Sequence, residues 1–198
     1  TYPTLGSNRY SDLLPVVEAA VENAEDFYVL GWSFSGPLAL SLAAKETRRV
    51  RGVILCASFV RPPLPGLSSL RFAVSAPVIH LLRLAHRTTA LMSSYSTDMY
   101  RRDKSATWTR VPSRILAARA RAILSLDARE CLRGCEQPVL YLAGSRDRVV
   151  PRWNPKEVVR ESPSAKIVTI DGPHLALYTN PSAAVQAIVE FINDTEAV

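Results

Sequence analysis

Ser33 lies in Gly31-Trp32-Ser33-Phe34-Ser35-Gly36, between the short apolar run Phe27-Tyr28-Val29-Leu30 and a helical pattern from Pro37 to Lys45. A serine hydroxyl is a weak nucleophile at its free pKa. To attack a carbonyl it must be exposed, relieved of its proton, and faced with donors for the oxyanion that forms. A sharp strand-to-helix turn gives the exposure. It also brings backbone against backbone, so small residues are needed two positions before and two after the serine. Around Ser33 those are Gly31 and Ser35. Centring the turn on Ser35 would put Ser33 and Pro37 there and lengthen the strand by two residues, a poorer fit. Standing alone, the motif could equally be a Gly/Ser turn that caps a helix.

Two further strand ends carry the residue types that a serine nucleophile requires. Asp147 follows Val139-Leu140-Tyr141-Leu142-Ala143 within Gly144-Ser145-Arg146-Asp147, and His174 follows the Lys166 to Ile170 run within Asp171-Gly172-Pro173-His174. His174 would take the proton from Ser33 and return it to the leaving group, while Asp147 would hold the imidazole in the required tautomer. Asp171 is the competing acid, but its closeness to His174 in sequence suits a turn better. The blander alternatives are a solvated turn aspartate for Asp147 and a structural loop histidine for His174; His80 and His86 lie in a helical stretch. The backbone amide of Phe34 is the candidate oxyanion donor, and Trp32 is a candidate substrate contact beside the nucleophile.

The elements that must position these residues alternate along the chain. A helix is expected over Ser11 to Ala24, with Pro15 tolerated in its first turn, then the Phe27 strand, the Pro37 helix and a buried strand over Val50 to Ala57. Pro62-Pro63 and Pro65-Gly66 stop regular structure. From Leu67 to Arg133 the pattern is helical in pieces, including Val78 to Ala85 and Ile115 to Leu126. Leu70, Phe72, Val78, Leu82 and Met92 could cover an acyl pocket there or simply pack onto the core. Strand character returns at Pro138 and at Lys166, separated by a short Lys156 to Glu161 helix. A last helix, Pro181 to Asn193, carries Ala184, Val185, Ile188, Val189 and Ile192 on one face. Alternating strands and helices predict a mainly parallel sheet between helical layers.

In order along the chain, Leu30 to Pro37, Leu142 to Pro151 and Gly172-Pro173-His174 make it resemble the α/β-hydrolase superfamily, more narrowly its small bacterial esterase-like members; Cys56-Ala57-Ser58-Phe59-Val60 looks like the family's next strand end. The resemblance implies a three-layer α/β-hydrolase-like fold forming a single domain over 1–198, with core segments 1–60 and 138–198 and a helical cap over about 61–137. It implies cleavage of a small-molecule carboxylic ester or related acyl compound through an acyl-enzyme on Ser33, His174 and Asp147, without a cofactor. Acyl transfer by the same triad, or a non-catalytic binding domain on this scaffold, are the alternatives. Only Thr1 to Asp26 precede the elbow strand, where the family carries several strands and a loop that supplies a second oxyanion amide. An N-terminally truncated chain, short by roughly 40–80 residues, is therefore expected.

Composition narrows the partners. With 47% hydrophobic and 21% charged residues the chain is ordinary for a globular domain. Its net charge of +6 comes from dispersed arginines without a basic block, which argues against nucleic acid, although those between Arg101 and Arg133 could meet an acidic partner. No apolar run reaches the length of a membrane span, so no membrane insertion is expected. Three cysteines cannot all pair, pointing to a reducing, cytoplasmic setting, and Cys131 with Cys135 supply too few ligands for a zinc site, so no metal is expected.

Overall fold

A computed structural model describes residues 2–84 and 111–197. Four strands, β1 (Phe27–Trp32), β2 (Val50–Cys56), β3 (Val139–Gly144) and β4 (Lys166–Ile170), form one sheet in the order β1-β2-β3-β4, with every pairing parallel. Sequential neighbours in a parallel sheet require crossovers. The described helices are α1 (Tyr10–Ala20), α2 (Gly36–Lys45), α3 (Ala76–Leu84), α4 (Ser113–Leu124), α5 (Arg129–Arg133), α6 (Trp153–Glu161), α7 (Ala176–Thr179) and α8 (Pro181–Glu196).

Period-two alternation divides the core. Val53 and Leu55 of β2, with Val139 and Tyr141 of β3, face Ala39, Leu40 and Ala43 of α2, Leu132 of α5 and Val158 of α6. Their neighbours Ile54, Cys56, Leu140 and Leu142 face the other way, onto Ala184, Ala187 and Phe191 of α8. Both faces of the central strands are thus covered, which is why these strands read as continuous apolar runs. Between residues 61 and 137 the described residues contribute a 3₁₀ stretch, Pro65–Phe72, and helices α3 to α5, with no strand.

Several local expectations change. Pro15 is the sixth residue of α1, not a first-turn residue, so the Ser11 carbonyl loses its helical donor there. On α8 the buried stripe is Ala184, Ala187 and Phe191, with Ile188 half-buried beside it, while Val185 and Val189 are exposed, because the sheet residues Ile54, Leu140 and Leu142 meet the face that carries Phe191. Cys135 lies beyond the end of α5, past Gly134, and packs with Cys131 at the margin of the core. Leu70, Phe72, Val78 and Leu82 are exposed, Phe72 by 82%; Met92 and His86 fall outside the described residues.

Candidate active site

Three strand ends build one crevice. At the end of β1, Ser33 takes φ +51°, a left-handed conformation costing of order 1–3 kcal/mol for a residue with a side chain. The turn then tightens through Ser33–Ser35 into α2, whose first turn carries Pro37. Gly31 permits this, since a Cβ there would lie 2.6 Å from the Gly36 Cα. The tight position after the serine is therefore Gly36, three residues on, while Ser35 turns its hydroxyl back to donate to the Trp32 carbonyl at 3.0 Å. The offset explains how a serine occupies the place the motif usually gives to glycine.

The loops after β3 and β4 are stitched together. Ser145 N–H donates to the Ile170 carbonyl and Arg146 N–H to the Gly172 carbonyl, both at 2.9 Å. A Cβ on Gly144 would stand 2.5 Å from the Pro173 carbonyl oxygen, so only glycine lets the His174 loop come this close to β3. Asp147 and His174 consequently meet: Asp147 Oδ2 lies 2.8 Å from His174 Nδ1, and His174 Nε2 lies 2.9 Å from Ser33 Oγ. Both partner side chains are buried, at 5% and 4% exposure. The other Asp147 oxygen accepts the Val149 and Val150 amides at 2.8 and 2.9 Å, which fixes the carboxylate's rotation. Asp171 is turned outward to Arg146 and Ser145, at 2.5 and 2.9 Å, and those bonds lower its pKa. It does not reach the histidine.

Ser58, just past the end of β2, is a residue whose part the sequence did not reveal. Its buried hydroxyl donates to the Ser33 carbonyl at 2.8 Å, and the Gly36 amide donates to the same oxygen. Because a trans peptide holds C=O and the next N–H antiparallel, pinning the Ser33 carbonyl also aims the Phe34 amide. Tyr141 completes the brace, its hydroxyl donating to the Ser58 carbonyl at 2.7 Å. A Cβ on Gly36 would come within 1.8 Å of Ser58 Oγ, so Ser58 can take this position only with glycine at 36.

Trp32 packs on the α8 side of the core and its indole N–H donates to the His174 carbonyl at 3.4 Å, contacts that support the histidine loop. On the other side of Ser33, the Phe34 ring stacks on Tyr10 at 4.8 Å and meets the Tyr2 edge at 5.9 Å. Cys56, beneath the crevice, offers no rival nucleophile: burial and the nearby Asp147 push its thiol up to about 12, so it stays protonated near neutrality.

Residues 1–188 match the model of the alpha/beta hydrolase family. The chain belongs to that family. It is 26% identical over 186 residues to a pyrrolizixenacetamide deacetylase of Xenorhabdus hominickii, a match covering 89% of this chain and 70% of that protein. Among solved structures, the enol-lactonase from Burkholderia xenovorans LB400 superposes with a TM-score of 0.75 at 19% identity, over 95% of this chain and 74% of the other. A bromoperoxidase from Bacillus anthracis gives 0.80 at 17% identity, over 98% and 77%. The structural likenesses show an alpha/beta hydrolase fold, and the family match with its deacetylase relative supports an enzyme; no described helix is long and apolar enough to cross a membrane.

Proposed function

We propose that the chain is a serine hydrolase that cleaves carboxylic esters or related acyl compounds through an acyl-enzyme. The observation that carries this reading is the unbroken hydrogen-bond path from Ser33 Oγ through His174 to Asp147, at 2.9 and 2.8 Å, with the serine on a strained turn. In this reading Ser33 Oγ attacks the acyl carbonyl as His174 Nε2 takes its proton. Asp147 holds Nδ1–H and stabilises the imidazolium. The Phe34 amide donates to the oxyanion, backed by the positive end of α2. When the tetrahedral adduct collapses, the proton on His174 passes to the leaving group, and water repeats the sequence on the acyl-serine. The relatives add chemical class: a deacetylase and an enol-lactonase both act on acyl carbon.

Short-chain p-nitrophenyl ester hydrolysis tests the assignment. Ser33→Ala and His174→Ala should each lower kcat by at least about a thousandfold, and a fluorophosphonate probe should label wild type but not Ser33→Ala. Equal rates in all three folded proteins would defeat it.

A further inference from the structure

A second concavity lies between the N-terminal segment and the helices of 61–137. Arg9, Arg71, Arg114 and Arg121 line it, with Tyr10 and Asp127. Elsewhere many arginines are neutralised within the fold: Arg49 by Glu46, Arg51 by Asp26, Arg61 and Arg160 by Glu157, Arg133 by Glu161 and Arg146 by Asp171. Among the described residues none of the four cleft arginines has such an ion pair. Asp127 does not serve them. Arg129 grips its two oxygens at 2.9 and 2.6 Å, and that contact holds the carboxylate down at about 2. Arg121 donates to the Val74 carbonyl at 2.7 Å and Arg71 lies 4.7 Å over the Phe72 ring, contacts that orient the guanidinium groups without cancelling their charge.

One more observation gives the cleft a direction. Tyr10, which lines it, is stacked at 4.8 Å on Phe34, the residue after Ser33. Four guanidinium groups exceed the single charge of a carboxylate. Their planar forks suit the several oxygens and the double charge of a phosphate.

We propose that this cleft binds a phosphate-bearing group and holds the anionic end of a substrate whose acyl end reaches Ser33. The first half stands on the cleft alone; the second rests on the hydrolase reading above. A phosphomonoester and a diphosphate share this chemistry, so inorganic phosphate and pyrophosphate are the probes.

Calorimetric titration of the intact chain at low salt should show pyrophosphate binding more tightly than phosphate. Arg114→Gln or Arg121→Gln should weaken pyrophosphate by about fivefold, the pair by more than about tenfold, and the corresponding lysine variants by less. Arg48→Gln, which removes an exposed arginine outside the cleft, should leave binding unchanged. Ser33→Ala should bind like wild type. Because Arg121 also tethers Val74, the exposed Arg114 decides the matter if the Arg121 variant fails to fold. No binding by folded wild type, or equal weakening by Arg48→Gln, overturns the cleft. For the link to Ser33, kcat/KM should be about tenfold higher for butyryl glycerol phosphate than for uncharged monobutyrin, and Arg114→Gln should remove that advantage. Equal kcat/KM on the two esters overturns the link. Pyrophosphate binding without Ser33-dependent hydrolysis of any ester removes the hydrolase reading and leaves the cleft standing.

Discussion

The crevice and the arginine cleft share the Tyr10–Phe34 stack and differ in how their polar groups are satisfied. In the crevice the fold itself supplies the partners: Ser33 has His174, His174 has Asp147, and Asp147 has two amides in addition. In the cleft the charge is gathered and, among the described residues, the counter-charge is not, since the acid at its margin is already taken by Arg129. A site that must stabilise a developing charge works best when its dipoles are fixed beforehand, because no reorganisation is then left to the reaction. A site that must bind a charge present from the outset needs the opposite arrangement, groups held in place whose charge is still open.

The comparison is broken most readily at the acids. Asp147→Asn should lower kcat on p-nitrophenyl esters by about ten-thousandfold, because the amide presents a donor where the imidazole N–H needs an acceptor. Asp171→Asn, on an exposed pair with Arg146, should change the rate by less than about threefold. Similar losses in both variants would mean that the crevice is not organised around Asp147.

A smaller effect separates fixed dipoles from merely present ones. Ser58→Ala removes one of the two donors to the Ser33 carbonyl and leaves the Phe34 amide less firmly aimed. The expected result is a kcat lower by about tenfold with KM nearly unchanged, and about 1 kcal/mol less stability from the lost buried hydrogen bond. Rate and KM measured beside a denaturant titration check this. A loss of stability alone, with kcat intact, would make Ser58 a packing residue only.

Much of this was legible in the sequence because it depends on local pattern. All four strands show as apolar runs closed by turn residues, and Ser33, Asp147 and His174 each sit just past such a run. The motif around Ser33 was misleading in one respect: it puts the small residue at Ser35, whereas the close contact falls on Gly36, through Ser58, a residue 22 positions away in sequence. Ser58 itself was visible only as part of a strand end, since its role depends on β2 lying beside β1. The buried face of α8 differs from the expected one because helical spacing offers two overlapping stripes, and the sheet, not the helix, selects between them. The cleft was visible only in part, for a related reason: Arg114 and Arg121 belong to the Arg101 to Arg133 stretch that could meet an acidic partner, but nothing local ties Arg9 and Arg71 to it. Arg9, Arg71, Arg114 and Arg121 are scattered over more than 100 positions, and only the fold brings them together.

The seam between the two regions gives the finest test. Arg119 on α4 donates to Asn8 Oδ1 at 3.0 Å and to the Pro3 carbonyl at 3.2 Å, and its guanidinium lies 5.6 and 5.9 Å over the Tyr2 and Phe34 rings. It ties the N-terminal segment to α4 across Phe34, with donors from both Nε and an Nη going to that segment. Lysine keeps the charge but loses the planar fork and its stacking. Arg119→Lys should therefore cost about 1 kcal/mol, a fall in Tm of roughly 2–4 °C for a chain of this size. Ester hydrolysis should stay within about threefold of wild type, and pyrophosphate affinity within about twofold. Thermal melts, rates and titration on one preparation decide it. A hundredfold loss of rate without a change in Tm would place Arg119 in the crevice, and a fivefold loss of pyrophosphate affinity would extend the cleft to include it.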